Sequence, residues 1–121
     1  MSFGLKILSV EPGNTVISPI NIAHAFSILL AGTDTSTRGQ IISLLSPLSP
    51  EKIISNISGI SDEIKIAARL FLGAKFEIKS EFHSANQKAF GNAPQGESVD
   101  FSKPSEAAEK INAWVKKVGI F

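Results

Sequence analysis

Cysteine is absent from the 121 residues of this chain, and there are only two histidines and one tryptophan. Without cysteine, disulfide frameworks, thiolate metal sites and cysteine nucleophiles are excluded. Small secreted domains often need disulfides, so their absence favours a reducing compartment. The opening residues lack the basic region, apolar run and cleavage site of a signal peptide, and we therefore predict a cytoplasmic protein.

Charge of one sign and long apolar runs are also scarce. Twelve basic and eleven acidic residues leave a formal net charge of +1, and charged residues make up 19% of the chain. This balance gives no global field that would attract nucleic acid or anionic lipid, so neither is an expected partner. No segment approaches the roughly 18 uninterrupted apolar residues of a membrane span. Hydrophobic residues still make up 43% of the chain, which argues against disorder.

The first half of the chain carries mostly helix signals. Residues 1–10 fit a short helix or a strand, and residues 15–17 form a short β-prone run. Thr37 and Gln40 have the spacing of a capping box with Thr37 as N-cap, which predicts a short helix. Ser49 followed by Pro50 repeats the signal of a helix start.

A more strongly apolar helix lies between these segments. Ser18 predicts its N-cap and Pro19 its first residue, because proline lacks only an N–H that would be unpaired there in any case. We expect the helix to extend to Ala31, with Gly32 as a left-handed stop. Its composition leaves almost no polar face, which is typical of a helix covered on every side. A chain of 121 residues has little left to cover it.

The second half alternates between strand and helix patterns. Apolar residues recur every second position in the first segment and at helical spacing in the last. The predicted elements are a strand over 62–72, a helix over 81–90 capped by Ser80 and stopped by Gly91, a short strand over 97–101, and a helix that begins at Pro104.

Four stretches of the sequence together resemble the serpin family. They are NTVISPINIA at 14–23, continued by LLAG at 29–32 and TR at 37–38; AARLFL at 67–72; SVDF at 98–101; and INAWV at 111–115. In order and spacing they are similar to the family's opening signature, strand 2 of its main sheet, strand 1 of that sheet, and helix F. The resemblance covers nearly every residue up to Lys117.

The resemblance implies an α+β fold, specifically the N-terminal part of a serpin. It would comprise a shortened helix A, helices B to F and two strands of the main sheet. Residues 1–121 are therefore expected to form a partial serpin domain with no reactive-centre loop. Residues 118–121 do not resemble the family's continuation after helix F. We expect a truncated product, an altered exon end or a degenerate gene copy.

The activity that the resemblance implies is inhibition of serine endopeptidases. In that family the protease cleaves an exposed loop and forms an acyl-enzyme, and the loop then inserts into the main sheet. A serine protease is thus the expected partner of the full-length family fold, and we expect this chain alone to be non-inhibitory. The alternative is a non-inhibitory interaction module that docks on another serpin chain or a chaperone. Many family members are extracellular, which is the alternative location.

Positions at the start of the apolar helix match the family's shutter region, where opening of the sheet is controlled. They are Asn14, Ser18 and Pro19, and the resemblance implies that they provide polar pairing and place the helix rather than catalyse a reaction. Two positions depart from the family pattern. Asn21 stands where serpins usually have serine, and Ala68 stands where many have asparagine.

No catalytic or cofactor constellation is present in the sequence. A serine nucleophile elbow is missing. His24 is expected to be a satisfied core or interface group, His83 a solvated one, and two distant histidines with scattered acids do not predict a metal site. We therefore predict no cofactor, no metal and no enzyme activity.

The remaining polar features have ordinary explanations. The hydroxyl-rich loop 32–37 lacks a phosphate-binding frame and is expected to cap a helix. Asn56-Ile57-Ser58 is a glycosylation sequon whose occurrence by chance is the preferred explanation. Sulfated glycans are not predicted as ligands, because the segment matching helix D offers only Lys52. The clustered cations are expected to form a solvated face: Lys65, Arg69, Lys75, Lys79 and Lys88.

Overall fold

The fold mixes helices and strands, which confirms the predicted α+β class. The computed structural model describes residues 2–58, 67–91 and 96–119. Its helices and strands are α1 (Phe3–Leu8), α2 (Pro19–Leu29), α3 (Thr35–Leu45), α4 (Pro50–Ser58), β1 (Leu70–Gly73), α5 (Ser80–Phe90), β2 (Gly96–Val99) and α6 (Pro104–Lys117). The chain divides into two compact units, Met1–Ser61 and Asp62–Phe121, and each is described by itself.

The core of the first unit takes one fully enclosed side chain from each of its four α-helices. Phe3, Ala23, Leu45 and Ile53 are each at most 2% exposed and contact one another as a cluster. Phe26 adds an edge-to-face contact with Phe3, with ring centroids 6.5 Å apart. Residues 3–8 are thus a helix, one of the two structures their pattern allowed.

The apolar helix α2 ends differently from the expectation. Leu30–Gly32 tighten into a 3-10 turn, and Gly32 does not adopt a left-handed conformation. The carbonyl of Leu30 accepts from the Arg38 guanidinium at 2.9 Å and from the N–H of Thr33. Because a cation satisfies this carbonyl, a left-handed residue is not needed to end the helix.

The helix starts show where a neighbouring residue replaced the predicted cap. Asp34, not Thr37, is the N-cap of α3, and its carboxylate accepts the Thr37 N–H at 2.7 Å. Helix α5 begins at Ser80 itself, whose hydroxyl donates to Glu81, so Ser80 is not the cap. The hydroxyl of Ser49 accepts the Lys52 N–H at 3.2 Å, which confirms the predicted start of α4.

The two strands of the second unit pair in parallel. Leu70 pairs with Gly96 and Gly73 with Val99, and α5 lies in the connection, as parallel pairing requires. Residues 67–69 are not part of the strand, and the predicted portion at 62–66 lies outside the described residues. The second strand stops at Val99 rather than Phe101. The Asp100 carboxylate accepts from the backbone and hydroxyl of Ser102, and this local turn ends the ladder.

The helices of the second unit follow the sequence signals closely. Gly91 has a φ of 69° and ends α5, as predicted. Helix α6 buries Ala107, and the apolar residues that follow at helical spacing, Ile111, Val115 and Val118, are half-buried. Trp114 meets Phe71 of β1 edge to face, with ring centroids 6.0 Å apart. This contact packs α6 against β1.

Candidate functional site

Two of the residues that match the family's shutter region, Asn14 and Ser18, lie just before α2, and the third, Pro19, is the first residue of that helix. Residues 14–18, hereafter the 14–18 segment, alternate in exposure: Asn14, Val16 and Ser18 are exposed, whereas Thr15 and Ile17 are half-buried. Such alternation is the signature of a strand with one covered face. The predicted β-prone run is nevertheless no strand here, because it has no partner strand within the described part of the chain.

Pro19 packs the start of α2 against α1. A Cβ added to Gly4 would lie 2.9 Å from the Pro19 ring, so only glycine allows the two to approach this closely. Pro19 is half-buried and occupies the first position of the helix. The proline ring therefore lies directly against the backbone of α1.

The polar side chains near the start of α2 do not form a bonded cluster. Ser18 is the N-cap residue of α2, as predicted, and its carbonyl accepts the Ile22 N–H at 3.3 Å, but its side chain does not make the expected capping hydrogen bond. Asn21 Oδ1 is buried and has no hydrogen-bond partner among the described residues. Leaving such an acceptor unpaired costs about 1–3 kcal/mol. The structure thus brings Ser18, Pro19 and Asn21 together without satisfying Asn21.

The second unit contains an ion-pair cluster that the sequence reasoning missed. The Glu97 carboxylate of β2 forms ion pairs with Arg69 at 2.9 Å and with Lys110 of α6 at 3.1 Å. The Lys110 ammonium also donates a hydrogen bond to the Ser98 carbonyl at 2.8 Å. The Arg69 guanidinium carbon lies 6.0 Å from the centroid of the Phe71 ring. Arg69 therefore does not belong to a solvated face. The sequence shows charged residues alternating with apolar ones near positions 69 and 97. It does not show the parallel register that brings these two positions together.

The other predicted features lie mostly at the surface. Lys52, Asn56 and His83 are exposed, as are Lys75, Lys79 and Lys88, whereas Lys65 lies outside the described residues. Ala68 is half-buried just before β1. His24 is half-buried on α2, and burial lowers the pKa of its imidazole below the ordinary value.

Carboxylates at the turns are held in their charged form by hydrogen bonds. The backbone N–H of Thr37, followed by its hydroxyl, lowers the pKa of Asp34. The Ser102 hydroxyl and N–H lower the pKa of Asp100 in the same way. Both groups organise local backbone, so their shifts are those of structural caps rather than of catalytic acids.

Neither a metal-binding cluster nor a membrane-spanning helix is present among the residues described. No group of three or more histidine or acidic side chains could hold a metal ion within 2–58, 67–91 and 96–119. Over the same ranges, no helix is both long and apolar enough to cross a membrane.

Comparison with known proteins supports the resemblance found in the sequence. A family model described as serpin (serine protease inhibitor) matches residues 4–118. The leukocyte elastase inhibitor of Sus scrofa is 34% identical over 115 residues, which are 87% of this chain and 30% of that protein. The glia-derived nexin of Rattus norvegicus is 29% identical over 120 residues, 92% of this chain and 30% of the relative.

A solved structure shows the same fold. Reaction-loop-cleaved lamprey angiotensinogen matches with a TM-score of 0.67 at 24% identity, over 97% of this chain and 36% of that one. Since the family model covers nearly the whole chain, the protein belongs to the serpin family. The chain spans about 30% of the length of the curated relatives it matches.

Proposed function

We propose that this chain is the N-terminal structural part of a serine-protease-inhibiting serpin. The observation that carries the proposal is the family match over residues 4–118 in a chain that spans 30% of its inhibitor relative. The relative's name, leukocyte elastase inhibitor, supports a serine protease as the partner of the family fold. Protease inhibition rather than catalysis is therefore the activity proposed.

The same proposal holds that the 121-residue polypeptide on its own does not inhibit. Trapping by loop insertion needs a cleavable loop and a sheet that opens between strands. The described residues supply a sheet of two parallel strands, and no stretch of the chain resembles the reactive-centre loop. We therefore expect the described residues to provide neither a loop for the protease to cleave nor a sheet into which such a loop could insert.

A protease assay tests this proposal directly. The purified chain is incubated with pancreatic and leukocyte elastases, trypsin and chymotrypsin, and the mixtures are separated on denaturing gels. We expect cleavage products and no SDS-resistant complex, with pig leukocyte elastase inhibitor as the positive control on elastase. A covalent complex that contains the 121-residue chain would contradict the proposal.

The shutter assignment is part of the proposal. Asn14 and Ser18 project from the exposed face of the 14–18 segment, and Pro19 anchors the start of α2. This placement supports a role in positioning a movable sheet, with Asn21 as an additional polar group. Serine at position 21 would have a shorter side chain and no buried amide oxygen, so we expect Asn21→Ser to remove the unsatisfied acceptor.

A second candidate function is favoured by the exposed apolar side chains of the first unit. Val16 is 100% exposed and Val10 is 77% exposed, and Leu29 leaves part of α2 uncovered at 44%. Large apolar side chains of this kind mark surfaces that bind other polypeptides when they are contiguous. A non-inhibitory module that docks on another serpin chain therefore remains the alternative.

A further inference from the structure

The short loop between α3 and α4 contains the serines of two of the three Ser-Pro dipeptides in the sequence. Residues 46–49 lie outside both helices, and the two serines, Ser46 and Ser49, are exposed. The third dipeptide begins at Ser18, before α2. The proline that follows each of these serines fixes the backbone φ and lacks an N–H, so the three differ in local backbone from every other serine of the chain.

Lys52 distinguishes Ser49 from the other two serines. It stands three positions after Ser49, whereas the corresponding position is Ser49 itself for Ser46 and Asn21 for Ser18. Protein kinases select their acceptors by the pattern of charge and backbone around the hydroxyl. A groove that offers no acceptor to the next N–H selects proline there, and a negative group further along it selects a cation. Ser-Pro-x-Lys is therefore the pattern that a proline-directed kinase accepts.

The structure leaves Ser49 accessible to such an enzyme. Its hydroxyl accepts the Lys52 N–H at 3.2 Å, and its carbonyl accepts the Ile53 N–H at 3.0 Å. Both bonds belong to the first turn of α4, and the end of a helix opens at a lower cost in free energy than its interior. Ser18 differs, because the Pro19 that follows it is half-buried against α1.

We propose that Ser49 is a phosphorylation site for a proline-directed kinase. This inference goes beyond protease inhibition and does not depend on it. In the reaction Ser49 Oγ attacks the γ-phosphorus of Mg²⁺-bound ATP, and the new oxygen–phosphorus bond forms as the bond to the ADP oxygen breaks. The hydroxyl proton passes to the catalytic carboxylate of the kinase, so the products are phosphoserine and ADP.

The groups around Ser49 would both favour and oppose the phosphate. Its oxygens replace the hydroxyl as acceptors of the Lys52 N–H, at the end of α4 where negative charge is stabilised. The backbone N–H of Glu51, followed by the Ser49 hydroxyl, lowers the pKa of the Glu51 carboxyl, and the charge of Arg38 lowers it further. Phosphorylation removes the hydroxyl donor and adds like charge beside Glu51, while Arg38 provides a cation that can pair with phosphate.

A kinase assay on the full chain tests this inference. The purified 121-residue protein is incubated with a cyclin-dependent kinase, which is proline-directed, together with Mg²⁺ and ATP. Intact-mass measurement gives the number of phosphoryl groups, and mass spectrometry of proteolytic fragments locates them. A synthetic peptide of residues 44–54 is the control for enzyme activity. We expect one phosphoryl group on the chain, at Ser49.

Two pairs of variants separate the acceptor from its recognition. Ser49→Ala should abolish incorporation and Ser46→Ala should retain it, although both serines are exposed and precede proline. Lys52→Gln should slow incorporation about tenfold, because the cation at the third position is lost. Lys75→Gln, at another exposed lysine, should leave the rate unchanged. Ser49→Thr keeps a hydroxyl at the start of α4 and should be phosphorylated on the threonine.

Any other result overturns the inference. Phosphate on Ser46 or Ser18 at a rate comparable to that on Ser49 would show that Lys52 does not select the acceptor, as would an unchanged rate in Lys52→Gln. A phosphorylated peptide beside an unmodified chain would show that the folded loop excludes the kinase. Failure of both the peptide and the chain would show that the pattern itself is not recognised.

Discussion

At the residue scale, single polar contacts decided several features that the sequence pattern left uncertain. Asp34 took the capping role expected of Thr37 because its carboxylate reaches the Thr37 N–H one turn ahead. Arg38 satisfied the Leu30 carbonyl and removed the need for a left-handed Gly32. In both cases more than one nearby residue could satisfy the backbone groups at the helix end, and the geometry of the turn determined which residue does so.

His24 gives a pH-dependent prediction at this scale. Burial lowers its folded-state pKa below the ordinary value of 6.5, so the unfolded chain binds the proton more readily. The contribution to stability is complete above about pH 6.5 and is lost as the pH falls through the lowered pKa. Urea unfolding at about pH 7.5 and pH 5 should show lower stability at the acidic pH.

Matched histidine variants isolate this effect. His24→Gln should remove most of the difference between the two pH values, whereas His83→Gln, at an exposed position, should retain it. An unchanged pH difference in His24→Gln would show that another group is responsible.

At the element scale, helix existence followed from sequence, but helix ends and strand pairing did not. The apolar spacing around Ile53 and the Ser49 cap were sufficient to place α4. By contrast, β2 stopped at Val99 because Asp100 formed a local turn with Ser102. Strand length depends on where the partner ladder ends, which alternation alone does not specify.

Replacing glycine by alanine should have opposite effects on stability at two positions of the first unit. Gly13 has a φ of 72° and Gly39 lies within α3, and an added Cβ would meet nothing within 4 Å at either position. Gly13→Ala should therefore destabilise the unit by about 1 kcal/mol, because alanine is strained in the left-handed region. Gly39→Ala should stabilise it by up to about 1 kcal/mol, because alanine is the better helix former.

Thermal unfolding of the two variants beside the parent chain measures these effects. The sign is the decisive result, since neither variant adds or removes a side-chain contact. Stabilisation by Gly13→Ala would mean that the turn does not have the left-handed conformation described.

At the scale of the whole molecule, large apolar side chains are exposed in both units. The large side chains concerned are between 39% and 100% exposed: Leu5, Leu8, Val10, Val16, Leu29, Ile42, Leu44, Phe76 and Phe101. In a chain that spans 30% of its inhibitor relative, this surface is consistent with a need for further serpin polypeptide.

This exposure predicts a loosely packed or associating protein when the chain is purified alone. We expect strong binding of a hydrophobic dye, a weak near-ultraviolet signal from Trp114 and a broad thermal transition. A single sharp transition with a strong Trp114 signal in the isolated chain would refute the prediction.

The sequence by itself determined the family, the α+β class and most helices, because motif order, caps and apolar spacing are local properties. It also identified Asn14, Ser18 and Pro19 as the positions to examine at the start of α2. Only the tertiary structure decided that residues 14–17 make no backbone–backbone hydrogen bond within the described part of the chain and that Glu97 joins Arg69 to Lys110. Pairing and burial depend on groups distant in sequence, whose positions are set by packing rather than by their neighbours along the chain.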